Sequence, residues 1–374
     1  MERELDLLDA ESLCAGATIL GTGGGGKFET GLSYLRRLLE GGKRIRMISV
    51  QDVPDGAVVV HPSGIGSIAP SKSGEGKTWD AAGEGLFDAE HPLLSALRMM
   101  EEIIGIKVYA TVPVEIGGMN TALAALLASL ADIPFVDADT IGRSKPELEM
   151  QSYTLHGVPI TPLILLDGRG NNVIVKSVAG YRDAEQIART LSVLWGGATS
   201  VRNPVKGEVF KKSIIPGWVS KSIDIGNARR EAIEKGDDPI GAVLDASGGR
   251  LFFQGQVTHF EWEDREGFMF GSFQITGKDR FDRHSLKIWL KNENLISWLD
   301  GEPYVMSPDL ICAVETDGAK PFTNDEVREG MDVTVFGIPP HPLWRTQEGI
   351  DLVSATHFGY DLPYRPLEGI VRDS

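Results

Sequence analysis

Residues 112–143 read VPVEIGGMNTALAALLASLADIPFVDADTIGR. The β-prone residues just before them, 107–112, predict a short strand that stops at Pro113. Glu115 follows, and Gly117 with Gly118 frees the backbone to turn. Asn120 or Thr121 is expected to cap the next helix. Residues 121–131 are small and apolar nearly all round, which predicts a helix buried on every side. Residues 134–136 form a second short strand, with Asp137 and Asp139 where it ends. Ligands of open α/β sheets bind beyond the carboxyl ends of strands. Glu115, Asn120, Asp137, Asp139 and Arg143 are therefore expected to share one crevice, because buried like charges are costly without a purpose. The plainer alternative is that the acids cap the following turn and Arg143 pairs with one of them.

Upstream, residues 5–20 carry a helical pattern with Asp9 as its expected cap, and residues 29–39 an amphipathic helix ended by Gly41 and Gly42. Between them stands GTGGGG, residues 21–26. Such a run leaves backbone N–H groups free to face an anion or a planar polar ligand, so Gly23, Gly24 and Gly25 are expected to floor the substrate site. No Gly-Lys-Ser/Thr closes the run, and what precedes it is helical, so it fits a nucleotide loop only loosely. Residues 43–50 and 56–61 read as strands, placing His61 at a strand end. The polar, glycine-rich residues 72–85 read as a lid or an insertion, and residues 91–104 as a helix. This alternation predicts an α/β fold with a mostly parallel N-terminal layer.

Downstream, two strand-like runs flank DGRGNN, a hairpin signal. A helix over 183–195 is expected to turn Ile187, Leu191, Leu194 and Trp195 inward. From about Glu208 short extended runs broken by glycines predict a β-rich part, interrupted by one helix over 223–235. The expected division is an α/β domain over 1–170 and a β-rich domain over 171–374, whose closing Pro- and aromatic-rich segment packs back onto the first.

A chain of 374 residues is long for one core, which supports two domains. The net charge of -16 argues against nucleic acid and anionic membranes as partners. Two distant cysteines, Cys14 and Cys312, make no disulfide framework and no CxxC site. No signal-peptide pattern and no spanning apolar run are present, so a cytoplasmic place is expected, with a homo-oligomer as its state.

Neither GxSxG nor HExxH occurs, and the seven histidines are scattered. His61, Asp137, Asp139 and His341 are nitrogen and oxygen donors that would hold a divalent metal such as zinc if the fold gathered them. An acid-rich, cysteine-poor set suits water activation, with Asp137, Asp139 and His61 as the candidate bases. Glu115, Asn120, Arg143, His341 and the glycine loop are the candidate substrate contacts.

Together, GATILGTGGGG, VPVEIGGMN, PFVDADTIGRSKPELEM, HPLWRTQEG and HFGYDLPYRPLE resemble, in collinear order over essentially the whole chain, the S-methyl thiohydantoin desulfurase family. His357 stands where that family often has a smaller residue before FGYD. The resemblance implies two domains, a small-molecule substrate, and hydrolysis of an S-methylated thiohydantoin to hydantoin and methanethiol. It also implies a hydantoinase/oxoprolinase-type protein as a partner, since the family's genes accompany or fuse to such proteins. Two other readings stay open: a non-catalytic accessory subunit of that partner, and a nucleotide-dependent enzyme using GTGGGG.

Overall fold

The computed structural model describes residues 2–70 and 91–371. The expected lid over 72–85 lies outside them. The first layer is a mixed sheet built from β1 (Arg3–Leu5), β2 (Ile45–Ile48), β3 (Val58–Ile65), β4 (Val108–Thr111) and β5 (Phe135–Val136). A second group follows β6 (Ala138–Asp139): β7 (Leu163–Leu166), β8 (Asn172–Val175) and β9 (Ala198–Lys206). The order across the sheet is β1-β2-β5-β4-β3-β9-β7-β8. Its centre, β2-β5-β4-β3, is parallel, while β1, β9, β7 and β8 join antiparallel. DGRGNN makes the β7–β8 hairpin as its glycines and Asp167 predict, with Asp167 accepting the backbone N–H groups of Arg169 and Asn171.

Helix α1 (Leu7–Leu20) is capped by Asp6, and Asp9 closes the capping box three positions later. The expected cap was thus one element of the box rather than its start. α2 (Phe28–Glu40) is amphipathic, α3 (Pro92–Ile104) precedes β4, and α4 (Gly118–Ala131) is buried along nearly its full length. α1 crosses the long helix Trp218–Lys235 closely enough that glycine is required on both sides. A Cβ on Gly16 would fall on the Ser222 carbonyl, and one on Gly226 on that of Ser12. This contact puts the 218–235 helix in the same apolar core as α4.

Residues 207–247 are mostly helical, Gly207–Ser213, Trp218–Lys235 and Pro239–Ser247, so the strand-rich part starts at Arg250 rather than near Glu208. The helix Tyr181–Trp195 turns Trp195 and Leu191 inward as expected, with Ala184 and Ala188, whereas Leu194 is 71% exposed and Ile187 38%. Small residues let the helix lie close to the sheet, and that geometry overrides the larger apolar side chains.

The second layer continues from β10 (Ile215–Pro216), which pairs with β6. Its strands are β11 (Arg250–Arg265), β12 (Phe268–Gly277), β13 (Ser285–Lys291), β14 (Glu293–Leu299), β15 (Glu302–Met306), β16 (Leu310–Glu315), β17 (Lys320–Pro321) and β18 (Asp332–Ile338). All pairings in this sheet are antiparallel, in the order β15-β14-β13-β12-β11-β18-β16-β17. The two layers are not separate bodies. Leu310, Cys312 and Val314 of β16 and Phe336 of β18 share a core with α1 and α4. Trp344, beyond β18, is fully buried in the same core and donates its indole N–H to the Ile141 carbonyl at 2.7 Å.

Candidate active site

The carboxyl ends of β3 and β4 open onto a cavity of about 750 Å³. Residues 63–70, Glu115, Met119, Asn120, Lys145, Arg202 and Glu293 are among those that line it. β4 stops at Pro113 because proline cannot donate to a neighbouring strand. The loop then carries Glu115 across the strand end before α4 begins at Gly118. Neither Asn120 nor Thr121 caps α4, whose N-cap is Gly117. Thr121 accepts the Gly117 N–H through its hydroxyl, and Asn120 points into the cavity.

Glu115 is 7% exposed. Its Oε1 accepts Asn120 Nδ2–H at 2.5 Å and the Ser144 hydroxyl at 3.1 Å. Asn120 cannot rotate its amide without loss, because its Oδ1 accepts the Gly64 N–H at 2.8 Å. No described residue donates a hydrogen bond to Glu115 Oε2. Ser144 Oγ also lies 2.8 Å from Glu293 Oε1, whose companion Oε2 is buried without a partner. Burial first, then the Glu115 charge, pushes the Glu293 carboxyl up to about 8.

Two buried cations complete the cavity. Lys145 Nζ donates only to the backbone carbonyls of Glu147, at 3.1 Å, and Leu148, at 3.4 Å. Burial pulls it down to about 8 while the Glu115 charge opposes. Arg202 Nη1 donates to Ser63 Oγ at 2.7 Å and to Ser200, and its Nε has no partner. Burial lowers the guanidinium to about 10. Neither cation forms an ion pair with a described carboxylate, so both charges are spent on the cavity.

The glycine loop is mostly packed rather than open. Gly23 O accepts the Asn324 N–H, Thr22 O that of Asn294, and Gly25 O those of Met119 and Asn120. Met119 and Asn120 at the start of α4 thus bond a loop carbonyl, and of the glycine amides 23–26 that of Gly24 is taken by the Gly21 carbonyl. Gly25 and Gly26 line the cavity, while Gly23 and Gly24 pack behind it against the second layer. A Cβ on Gly24 would fall on the Glu293 carboxyl, so this position is glycine to make room for that side chain.

The other expected site residues are dispersed. His61 sits inside β3, not at its end, because extended pairing with β9 continues to Ile65. Its Nδ1 faces the Asn203 carbonyl at 3.2 Å and its Nε2 the Tyr153 hydroxyl at 2.9 Å. Burial drives its imidazole down to about 3, so it stays neutral and both nitrogens are used. Asp137 accepts the N–H and hydroxyl of Ser220 in the first turn of the 218–235 helix. Asp139 is fully buried and accepts the N–H groups of Ile141 and Gly142, closing a turn. Capping of the following turn thus describes Asp139, while Asp137 holds the start of a helix far along the chain. Arg143 joins layers: Nη2 donates to Thr22 Oγ1 at 2.7 Å and to Asn294 O at 2.9 Å. His341 caps the short helix Pro342–Arg345 through Nδ1. None of the five lines the cavity.

Two family descriptions match the chain: S-Me-THD-like, N-terminal domain, over residues 8–177, and S-Me-THD-like, C-terminal domain, over residues 179–367. The chain belongs to the S-Me-THD-like family. No curated protein matches it. A crystal structure of a protein from Chromobacterium violaceum shares its fold, with 22% sequence identity, a TM-score of 0.76, and coverage of 98% of this chain and 100% of that one. No helix among the described residues is long and apolar enough to cross a membrane.

In this S-Me-THD-like chain the four expected metal donors, His61, Asp137, Asp139 and His341, do not gather. Among the described residues only Glu147, Glu149 and His357 place ligand atoms within 4.8 Å of one another. Those carboxylates are already neutralised, Glu147 by Lys291 and His357, and Glu149 by Arg182. Of the family motifs, VPVEIGGMN delivers Glu115 and Asn120, and DTIGRSK delivers Ser144 and Lys145. Ser144, Lys145, Arg202 and Glu293 escaped the sequence reading. A lone arginine in the strand TSVRNPV carried one usable signal, since such a charge needs a buried purpose. Glu293, in the polar turn KNEN, carried none.

Proposed function

We propose that the protein is a hydrolase of a small cyclic amide-like compound, with S-methyl thiohydantoin as the substrate and hydantoin and methanethiol as the products. The family membership supports the substrate. The observation that carries the chemistry is Glu115: a carboxylate on the cavity floor with one oxygen held by two donors and the other without a donor among the described residues. A water beside Oε2 gives up its proton to Glu115 as its oxygen bonds to the ring carbon between the two nitrogens. The C–S bond then breaks, the proton held by Glu115 passes to the departing methanethiolate, and the remaining hydroxyl proton moves to the ring nitrogen to leave the hydantoin carbonyl. Lys145 and Arg202 stabilise the negative charge that develops on the ring and on sulfur, because both are buried and line the cavity. Ile65, Ile68, Met119 and Leu148 offer the S-methyl group an apolar wall.

The test is release of methanethiol from S-methyl thiohydantoins carrying different ring substituents, by wild type and Glu115→Gln. Turnover by wild type that falls in a folded Glu115→Gln variant supports the reading. A fully active variant sinks Glu115 as the base. Wild type inactive on every ring, yet retained by a hydantoinase/oxoprolinase-type subunit, would replace catalysis with an accessory role.

A further inference from the structure

The second layer delivers Glu293 to the back of the Glu115 site. The hydroxyl of Ser144 lies within hydrogen-bond distance of both carboxyls, 2.8 Å from Glu293 Oε1 and 3.1 Å from Glu115 Oε1. A hydroxyl has one proton, so it can donate to only one of them. With both carboxylates ionised, the other contact would oppose lone pairs on adjacent oxygens in a buried site. The contact becomes attractive when that carboxyl carries a proton and donates it to Ser144 Oγ. Asn120 Nδ2 donates to Glu115, whereas among the described side chains only Ser144 reaches the Glu293 carboxyl, its own backbone N–H being the other donor near it, and its second oxygen is buried without a partner. The proton therefore belongs on Glu293, and the chain runs Glu293 O–H to Ser144 O–H to the Glu115 carboxylate.

We propose that Glu115 and Glu293 form a carboxyl pair that shares one proton through the Ser144 hydroxyl, with Glu293 as the positioning residue that keeps Glu115 ionised and aimed at the cavity. The proposal rests on the hydrolase reading for its use of Glu115. Like-charge pairs of carboxyls cannot both ionise cheaply at short range, and their roles separate according to their surroundings. The charged groups that face Glu293 are Glu115, Arg143 and Lys145. The glycine loop faces it with no ionisable group, because Gly24 lies directly against its carboxyl. The two cations offset the single charge left on Glu115, so the loaded cavity holds one anionic base rather than two. During turnover, water's proton goes to Glu115 Oε2 and from there to the leaving sulfur, and the Glu293 proton stays in place. No proton is gained or lost over the cycle.

Infrared difference spectroscopy of the substrate-free full chain, taken on either side of about pH 8, reads the proton directly. Wild type is expected to lose a carboxylic-acid carbonyl band as the pH rises. Glu293→Gln removes that band and leaves the one contributed by Asp139, whose carboxyl burial also pushes up to about 8, and Ser144→Ala shifts the Glu293 frequency. No Glu293-dependent band below that pH, or a band indifferent to Ser144→Ala, overturns the pair. On the kinetic side, Ser144→Ala takes a donor from ionised Glu115 and is expected to move the acid limb of kcat/KM up by about one pH unit. Ser144→Thr, which keeps the hydroxyl, restores the limb. An unmoved limb in the alanine variant also overturns the proposal. The infrared readout needs no substrate, so failure of turnover on S-methyl thiohydantoins would overturn the hydrolase reading alone and remain distinct from failure of the pair.

Discussion

Glu115 and His61 are both buried polar residues at the same sheet, and their partners decide their fates. Glu115 keeps an oxygen without a donor among the described residues, whereas each nitrogen of His61 faces an oxygen. Replacing Glu115 by Gln keeps size and packing and removes the base. It is expected to lower kcat about 10²- to 10⁴-fold, with little change in the urea midpoint. His61 acts on stability instead. Its folded-state value, near 3, lies below the ordinary 6.5, so between those pH values the unfolded chain binds more protons than the folded one. Stability therefore rises with pH through that window and is fully present above 6.5. Urea midpoints measured across the window should rise less steeply in His61→Gln than in wild type. Parallel slopes would show that the ring is protonated in the fold. Sequence could place Glu115 and Asn120 beyond a strand end, because strand, proline and glycine signals are local. It could not tell them from Asp137 and Asp139, because which carboxyl meets the cavity depends on Ser220 holding Asp137 and on the fold burying Asp139 away from it.

At the scale of elements, the two glycine-dependent contacts make different predictions. Gly226→Ala pushes a methyl group into the Ser12 backbone where α1 crosses the 218–235 helix. Overpacking of this kind costs about 1–3 kcal/mol, and more where backbone must move. The expected result is a lower urea midpoint with an unchanged m-value, and an unshifted midpoint would show that the helices can part freely. Gly24→Ala meets the Glu293 carboxyl rather than backbone. A side chain yields more easily than a helix, so this variant should lose less stability than Gly226→Ala while disturbing the pH dependence of turnover. Equal stability losses with an untouched pH profile would deny the loop its role in seating Glu293. Helices and strands with one dominant period were legible in the sequence, as α2, α4 and the β7–β8 hairpin show. The helix Tyr181–Trp195 was misread at Ile187 and Leu194 because Ala184 and Ala188 carry little hydropathy yet permit close approach.

At the scale of the whole molecule, one shared core joins the layers. α1, α4, β16, β18 and Trp344 all contribute to it, alongside clusters held largely within one layer, such as Phe253, Phe273 and Ile288 in the second and Val59, Ala110 and Val136 in the first. Because the shared core couples them, unfolding should be a single cooperative transition in which tryptophan fluorescence and far-ultraviolet circular dichroism coincide. Two separated transitions would mean that the shared core does not couple the layers. Trp344→Ala removes a fully buried indole and should lower stability by about 3–5 kcal/mol. The class of the fold was legible from alternating local signals, strands and helices first and strands later. The mutual embedding of the layers was not, since it depends on partners far apart in sequence, such as Thr22 with Asn294 and Gly23 with Asn324.

The turn that carries Glu293 also sets when the protein can begin to work. Glu115, Asn120, Ser144 and Lys145 leave the ribosome well before residues 292–294 do, and until then Thr22 O and Gly23 O wait for the amides of Asn294 and Asn324. The half-made chain thus carries the carboxylate and two cations but lacks both the shared core and the back wall of their pocket. Its chemistry is withheld until most of the message has been translated, so a prematurely terminated chain ending before that turn would be inert rather than an unregulated fragment.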